Sequence, residues 1–170
     1  VPQMANGLFL TDGGLETTLV FHDGIDLPCF AAFDLLKDAA GRIRLRKYYL
    51  EYIELALEHG FGFVLEGATW RASPDWGKRL GYSATALARS NNQAIEMLHE
   101  LREQYQKHST PMVISGNLGP RSDAYVADQN MTSDEAADYH TWQIQALVDA
   151  GVDLVTAVTL PETQEAIGIV

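Results

Sequence analysis

Two acidic residues stand where apolar runs stop. Asp12 follows Leu8-Phe9-Leu10-Thr11 and precedes Gly13-Gly14, and Glu66 closes Phe61-Gly62-Phe63-Val64-Leu65 and precedes Gly67. A carboxylate at such a point can accept hydrogen bonds from a ligand's ammonium group, and glycines beside it let the backbone turn while leaving space. For Asp12 the competing reading is a cap on the next turn. Burying Glu66 without a partner is costly, so it requires water, a ligand or a salt bridge to nearby Arg71, and both the structural and the substrate-binding role stay open.

Beyond Glu66, Thr69-Trp70-Arg71 and Ser73-Pro74-Asp75-Trp76-Gly77 form a polar loop with two tryptophans, suited to the wall of an organic-substrate pocket or to packing on a helix, with Tyr82 a neighbour in the same lid. A third loop, Ser115-Gly116-Asn117-Leu118-Gly119-Pro120-Arg121, has glycines whose N–H groups could face an anion and Arg121 as a charged clamp. The lysine-serine end of a phosphate loop and the glycine spacing of a dinucleotide fold are both absent, which disfavours those ligands. His22, His59, His99 and His108 read as loop or helix-end residues and His140 as helical, with no HExxH, paired CxxC or GxSxG pattern. Cys29, in GIDLPCFAAFDLL, reads most simply as a small buried hydrophobe.

The elements that must position these residues follow from periodicity. Leu45, Tyr49, Tyr52, Ile53, Ala56 and Leu57 recur at helical spacing before Gly60, as do Leu87, Asn91, Ala94, Leu98, Leu101 and Tyr105. Thr132 with Glu135 is a capping-box signature opening a helix through Tyr139, Gln143, Leu147 and Val148. Pro161 would open a last helix as its first residue. Between them lie short apolar runs, LFLT, FGFVLE, PMVIS and VDLVTAVTL, with strands ending near 12, 66, 115 and 158. Strands alternating with amphipathic helices specify an α/β fold with a parallel sheet, either an open flavodoxin-like sheet or the first four βα units of a (β/α)8 TIM barrel. In both, ligands bind at the carboxyl ends of the strands.

Composition sets the class. With 170 residues, 46% hydrophobic, the chain can bury one core, and 12 basic against 23 acidic residues give a net charge of −11 that repels nucleic acid and anionic membranes. One cysteine forms no internal disulfide and fits a cytoplasmic setting, and no run is long enough for a membrane helix. The last helical stretch stops on Ile169-Val170 without a cap, so residues 1–170 are expected to be the N-terminal part of a barrel domain rather than a complete one.

LTDGGLETTLVFHDGIDLP, EHGFGFVLEGATWRASPDW, VISGNLGPRSDAYVAD and DAGVDLVTAVTLPETQEAIGIV resemble, in order and across nearly the whole chain, the homocysteine S-methyltransferase family, which includes betaine-homocysteine methyltransferase. The resemblance implies a TIM barrel in which zinc (Zn²⁺) holds a thiol as thiolate for attack on a methyl donor. It implies that Asp12 helps hold the amino-acid substrate and that Thr69 is the second threonine of a Thr-Asn-Thr-Tyr/Phe motif that here reads Gly67-Ala68-Thr69-Trp70. With the reading of the residues above, the candidate substrate-binding set is Asp12, Gly13, Glu66, Thr69, Trp70, Asn117 and Thr159. One departure bears on the acceptor: the family's Ala-Glu-Thr at the fourth strand is Ala157-Val158-Thr159 here, and valine accepts no hydrogen bond, leaving Glu66 or Glu162 to compensate.

No residue matches the family's zinc thiolates, so the metal ligands are expected beyond residue 170 and these residues alone are expected to be inactive. The expected partners are a small-molecule thiol and a methyl donor, which the residues do not identify, and a homo-oligomer stays open. The competing readings are a barrel enzyme of different chemistry, an inactive small-molecule binding domain and, last, a flavodoxin-like binder.

Overall fold

The computed structural model describes residues 1, 7–107, 109–126 and 131–170. Strands β1 (Phe9–Thr11), β2 (Gly62–Glu66), β3 (Met112–Leu118) and β4 (Leu154–Ala157) form one parallel sheet in the order β1-β2-β3-β4. The register sets Thr11 opposite Val64, Glu66 opposite Ser115 and Asn117 opposite Thr156. A flavodoxin-like sheet would place β1 between β2 and β3, so the order seen here has no switch point and instead follows the sequential winding of a barrel's opening units.

The helices bury the faces their periodicity specifies. After β1 come α1 (Leu15–Thr17), a π-helical turn (Thr18–His22) and two short 3₁₀ segments, and then α2 (Ala39–His59). Asp38 caps α2 by accepting from the Gly41 N–H at 2.8 Å, and Gly60, at φ 69°, ends it in the left-handed conformation that glycine adopts without strain. Leu45, Tyr49, Ile53 and Ala56 are buried as read, Tyr52 and Leu57 are half-buried, and Tyr48 joins the buried face. Each fully buried leucine or isoleucine contributes about 1.5–3 kcal/mol.

Helix α3 (Pro74–Arg79) replaces the expected lid loop, with Pro74 in its first turn, Asp75 near its N-terminus and Lys78 and Arg79 near its C-terminus, the charge order the helix dipole favours. Helix α4 (Ala84–Tyr105) is capped by Ser83 and buries Leu87, Asn91, Ala94, Leu98 and Leu101, with Tyr105 half-buried. His99 lies within it rather than at an end, and His108 is outside the described residues.

Helix α5 (Ser133–Asp149) starts with the capping box between Thr132 and Glu135. Its buried face runs Ala136, His140, Gln143 and Leu147, whereas Val148 is 54% exposed. That position lies a full 100° around the helix from Leu147, which the apolar pattern alone did not resolve. Helix α6 (Thr163–Ile169) begins one residue after Glu162, its N-cap, so Pro161 precedes the helix instead of occupying its first position. Two strand-level differences matter for the site: β3 continues past Ser115 to Leu118, and the β1–α2 stretch packs Leu19, Ala31, Ala32, Phe33 and Leu36 into the core.

Candidate active site

The carboxyl ends of the four strands open on a cavity of ≈ 880 Å³. Asp12 and Gly13 reach it from the end of β1, Glu66 from β2, Asn117 from β3, Thr156 from β4, and Val158 and Thr159 from the following loop. Trp70, Arg71 and Trp76 form its wall beyond β2. Of the residues read as substrate-binding, only Thr69 is off the wall: fully buried, its hydroxyl donates to the Asn117 carbonyl (2.8 Å) and accepts from the Asn117 N–H (3.0 Å), bracing the β2 loop on β3.

The acidic strand ends are anchored from α2 by two consecutive tyrosines. The Tyr48 hydroxyl donates to the Gly13 carbonyl at 3.0 Å and the Tyr49 hydroxyl to the Glu66 carbonyl at 2.8 Å. Gly13 is needed for a close approach, not for a left-handed turn: a Cβ there would lie 2.7 Å from the Tyr52 hydroxyl. The helix thus sits against backbone that carries both carboxylates.

Burial dominates their protonation. It raises Asp12 from 3.8 to about 7, opposed by the nearby Tyr48 hydroxyl and reinforced by the charges of Glu66 and Glu16. Burial likewise lifts Glu16 to about 7, against a backbone hydrogen bond and the charge of Arg71. It also raises Glu66, opposed by the hydroxyls of Ser115 and Thr156. Thr156 donates to Glu66 Oε1 at 3.3 Å, while Glu66 Oε2 and Asn117 Oδ1 are buried without a partner among the described residues. Such acceptors are open to an N–H or O–H donor from a ligand or water.

The aromatic wall is fixed by hydrogen bonds. Trp70 Nε1 donates to Thr159 Oγ1 (3.0 Å), and its carbonyl accepts from the Gly119 N–H (2.9 Å). Trp76 Nε1 donates to the Pro120 carbonyl (3.1 Å). Thr159 has φ 57°, an uncommon backbone for a β-branched residue, and its hydroxyl donates to the Val158 carbonyl (2.6 Å).

Several expectations are corrected. Glu66 and Arg71 form no ion pair within 4.0 Å, because the Arg71 guanidinium is drawn between the indoles of Trp70 (4.0 Å) and Trp76 (3.8 Å). Arg121 clamps nothing in the cavity: it pairs with Asp75 (2.7 Å) over Tyr139, and the Gly119 N–H is already spent on Trp70. Cys29 is exposed at φ 57° on the cavity wall, since Ala31, Ala32 and Phe33 take the core positions of its segment. Tyr82 donates to Asp34 (2.7 Å) away from the cavity, and Glu162 also lies off its wall. Glu16 and Thr156 went unread in the sequence, although Glu16 stands only two residues after the Gly13-Gly14 pair.

Among the described residues no group of three or more His, Cys, Asp or Glu could hold a metal ion, so the residues present do not fit zinc. No described helix is long and apolar enough to cross a membrane.

Comparison with known proteins places this geometry. The homocysteine S-methyltransferase family model matches residues 9–170. Homocysteine S-methyltransferase 1 of Arabidopsis thaliana is 28% identical over 177 residues, covering 94% of this chain and 52% of that protein. A selenocysteine methyltransferase of Astragalus bisulcatus is 27% identical, covering 91% and 51%. Among solved structures, the homocysteine methyltransferase MmuM from Escherichia coli in its oxidized form superposes with TM-score 0.80 at 20% identity, over 99% of this chain and 58% of that one. Its metallated form gives 0.76 at 20% identity, over 99% and 59%. The chain spans about half the length of the curated relatives it matches.

Proposed function

Because the chain belongs to the homocysteine S-methyltransferase family, we propose that it forms the acceptor-binding part of a (β/α)8 barrel enzyme that moves a methyl group from a small-molecule donor to the thiol of homocysteine or a related thiol. The observation that carries this reading is the pair of unpartnered buried acceptors, Glu66 Oε2 and Asn117 Oδ1, beside Asp12 in one cavity. An ammonium group supplies the donors they lack, and its charge favours ionised Asp12 and Glu66 over the protonated forms that burial promotes. Charge-assisted bonds of this kind orient the amino-acid end of the acceptor, which leaves the thiol end to point along the indole wall.

Val158 lines the cavity where the family motif has a glutamate, so the acidity facing the ammonium group comes from Glu66 on β2 instead. This favours, as a second reading within the same chemistry, a thiol or selenol amino acid other than homocysteine. Zinc dependence is proposed for the whole protein, on ligands outside residues 1–170, and no step above passes through the metal. Residues 1–170 alone are accordingly proposed to be inactive.

The test is methylation of homocysteine by the whole protein with betaine, S-methylmethionine or a folate-type donor. Methionine formation that falls at least about tenfold in Glu66→Gln, mainly through KM, supports the reading. Activity indifferent to Glu66→Gln would contradict it.

A further inference from the structure

Among the described residues Arg71 is the only cation on the cavity wall, which it shares with Asp12, Glu16, Glu66 and Asp123. Its side chain is held on three sides. The guanidinium carbon lies over both indoles, 4.0 Å from the Trp70 ring centre and 3.8 Å from that of Trp76, and Nη1 donates to the carbonyls of Ser122 (2.9 Å) and Pro120 (3.4 Å). The residue is only 6% exposed, it makes no ion pair within 4.0 Å among the described residues, and its Nε is buried without a partner. A guanidinium packed against two indoles and tied at Nη1 keeps its Nε edge without a partner, in a fixed orientation that costs a ligand little ordering.

We propose that this edge receives the carboxylate of an amino-acid ligand and makes Arg71 the residue that selects ligands bearing one. The proposal rests on the methyltransferase reading and deepens it. A simple anion such as phosphate is a poor occupant, because four carboxyl groups share the cavity. A zwitterion meets both signs at once, its ammonium group on Glu66 and Asn117 and its carboxylate on Arg71. Burial lowers the Arg71 pKa while Asp123 and Glu16 oppose that, and an arginine remains charged throughout the working pH range. The carboxylate belongs either to the thiol acceptor or to an amino-acid methyl donor, and the two sources are separable.

The experiment measures equilibrium binding to the whole protein by calorimetry for two matched pairs: homocysteine against homocysteine amide, and S-methylmethionine against its amide. The expected result is an acid-over-amide preference of about 10- to 100-fold in one pair, abolished in Arg71→Gln and partly restored in Arg71→Lys. The pair that shows it identifies the source. No preference in either pair of the unaltered protein, a comparison needing no variant, overturns the proposal, as does a preference that survives Arg71→Gln. Methyl transfer without an acid preference would remove this role alone, while an acid preference without methyl transfer would remove the enzymatic reading and leave Arg71 as a carboxylate receptor.

Discussion

Thr156 on β4 donates a hydrogen bond to Glu66 on β2, at 3.3 Å, across the intervening strand β3. Ser115 of β3 completes the row, its hydroxyl 2.7 Å from that of Thr156. Three strands thus share one polar line that ends on the carboxylate proposed to receive the substrate's ammonium group. Thr156→Val removes the donor and leaves Glu66 with a poorer counterpart, so its pKa rises further. The expected result is a KM for the thiol acceptor raised about 5- to 10-fold with kcat little changed, read from initial rates at pH 7 and 9. The deficit should be smaller at pH 9 than at pH 7, because a higher pH favours the ionised carboxylate in both proteins.

Asp12 makes stability depend on pH in the opposite sense from an ion-paired aspartate. Its folded pKa of about 7 lies above the ordinary 3.8, so between these values the folded protein binds more protons than the unfolded one. Stability from this group is therefore full below about pH 4 and declines as pH rises to about 7. Asp12→Asn removes the penalty: urea unfolding of the whole protein at pH 8 should show it more stable by about 1–3 kcal/mol, with a smaller gain at pH 5 and little difference below about pH 4, although acceptor binding is lost.

His140 and Glu165 form a buried pair at 2.7 Å that joins α5 to α6, and Glu165 also accepts from the Arg121 N–H at 2.8 Å. These bonds hold the Glu165 carboxyl below its usual value against the opposing effect of burial. Its contribution is present above the ordinary carboxylate range and is lost as pH falls through the lowered folded value. Glu165→Ala leaves His140 and the Arg121 N–H unpaired and should cost about 3 kcal/mol or more in denaturant unfolding at pH 7.

Gly13 and Tyr52 give a packing test. Gly13→Ala sets a methyl group 2.7 Å from the Tyr52 hydroxyl, while the next ring atom is 3.6 Å away. The substitution should destabilise by about 1–2 kcal/mol, and Tyr52→Phe in the same chain should recover most of that, which a double-mutant cycle measures directly.

The strands, the long helices and the acidic strand ends were legible because each depends on local pattern: an apolar run, a 3.6-residue period, a cap. What failed depends on distant chain. Arg71 stands near Glu66 in sequence, but its partners are set by where α3 brings back Trp76 and where the β3 loop presents the carbonyls of Pro120 and Ser122. Asn117 was read as a site residue and lies on the wall, carried there as pairing with β4 extends β3 past Ser115, whereas Thr156 went unread because an apolar strand turns one polar residue toward the cavity. Cys29 stood in an apolar segment, yet the core has places only for its neighbours. Thr69 was read as a substrate contact, and its hydroxyl braces the Asn117 backbone from behind the cavity wall.

The most direct test of the acidic cavity as an acceptor site is transfer of a labelled methyl group from S-methylmethionine or betaine to homocysteine by the whole protein, compared with its Asp12→Asn, Glu66→Gln double variant. Labelled methionine from the unaltered protein, falling at least about a hundredfold in the variant, is the predicted result. Equal label transfer by both proteins, or none from the unaltered protein with any donor and any thiol or selenol amino acid, would contradict the account.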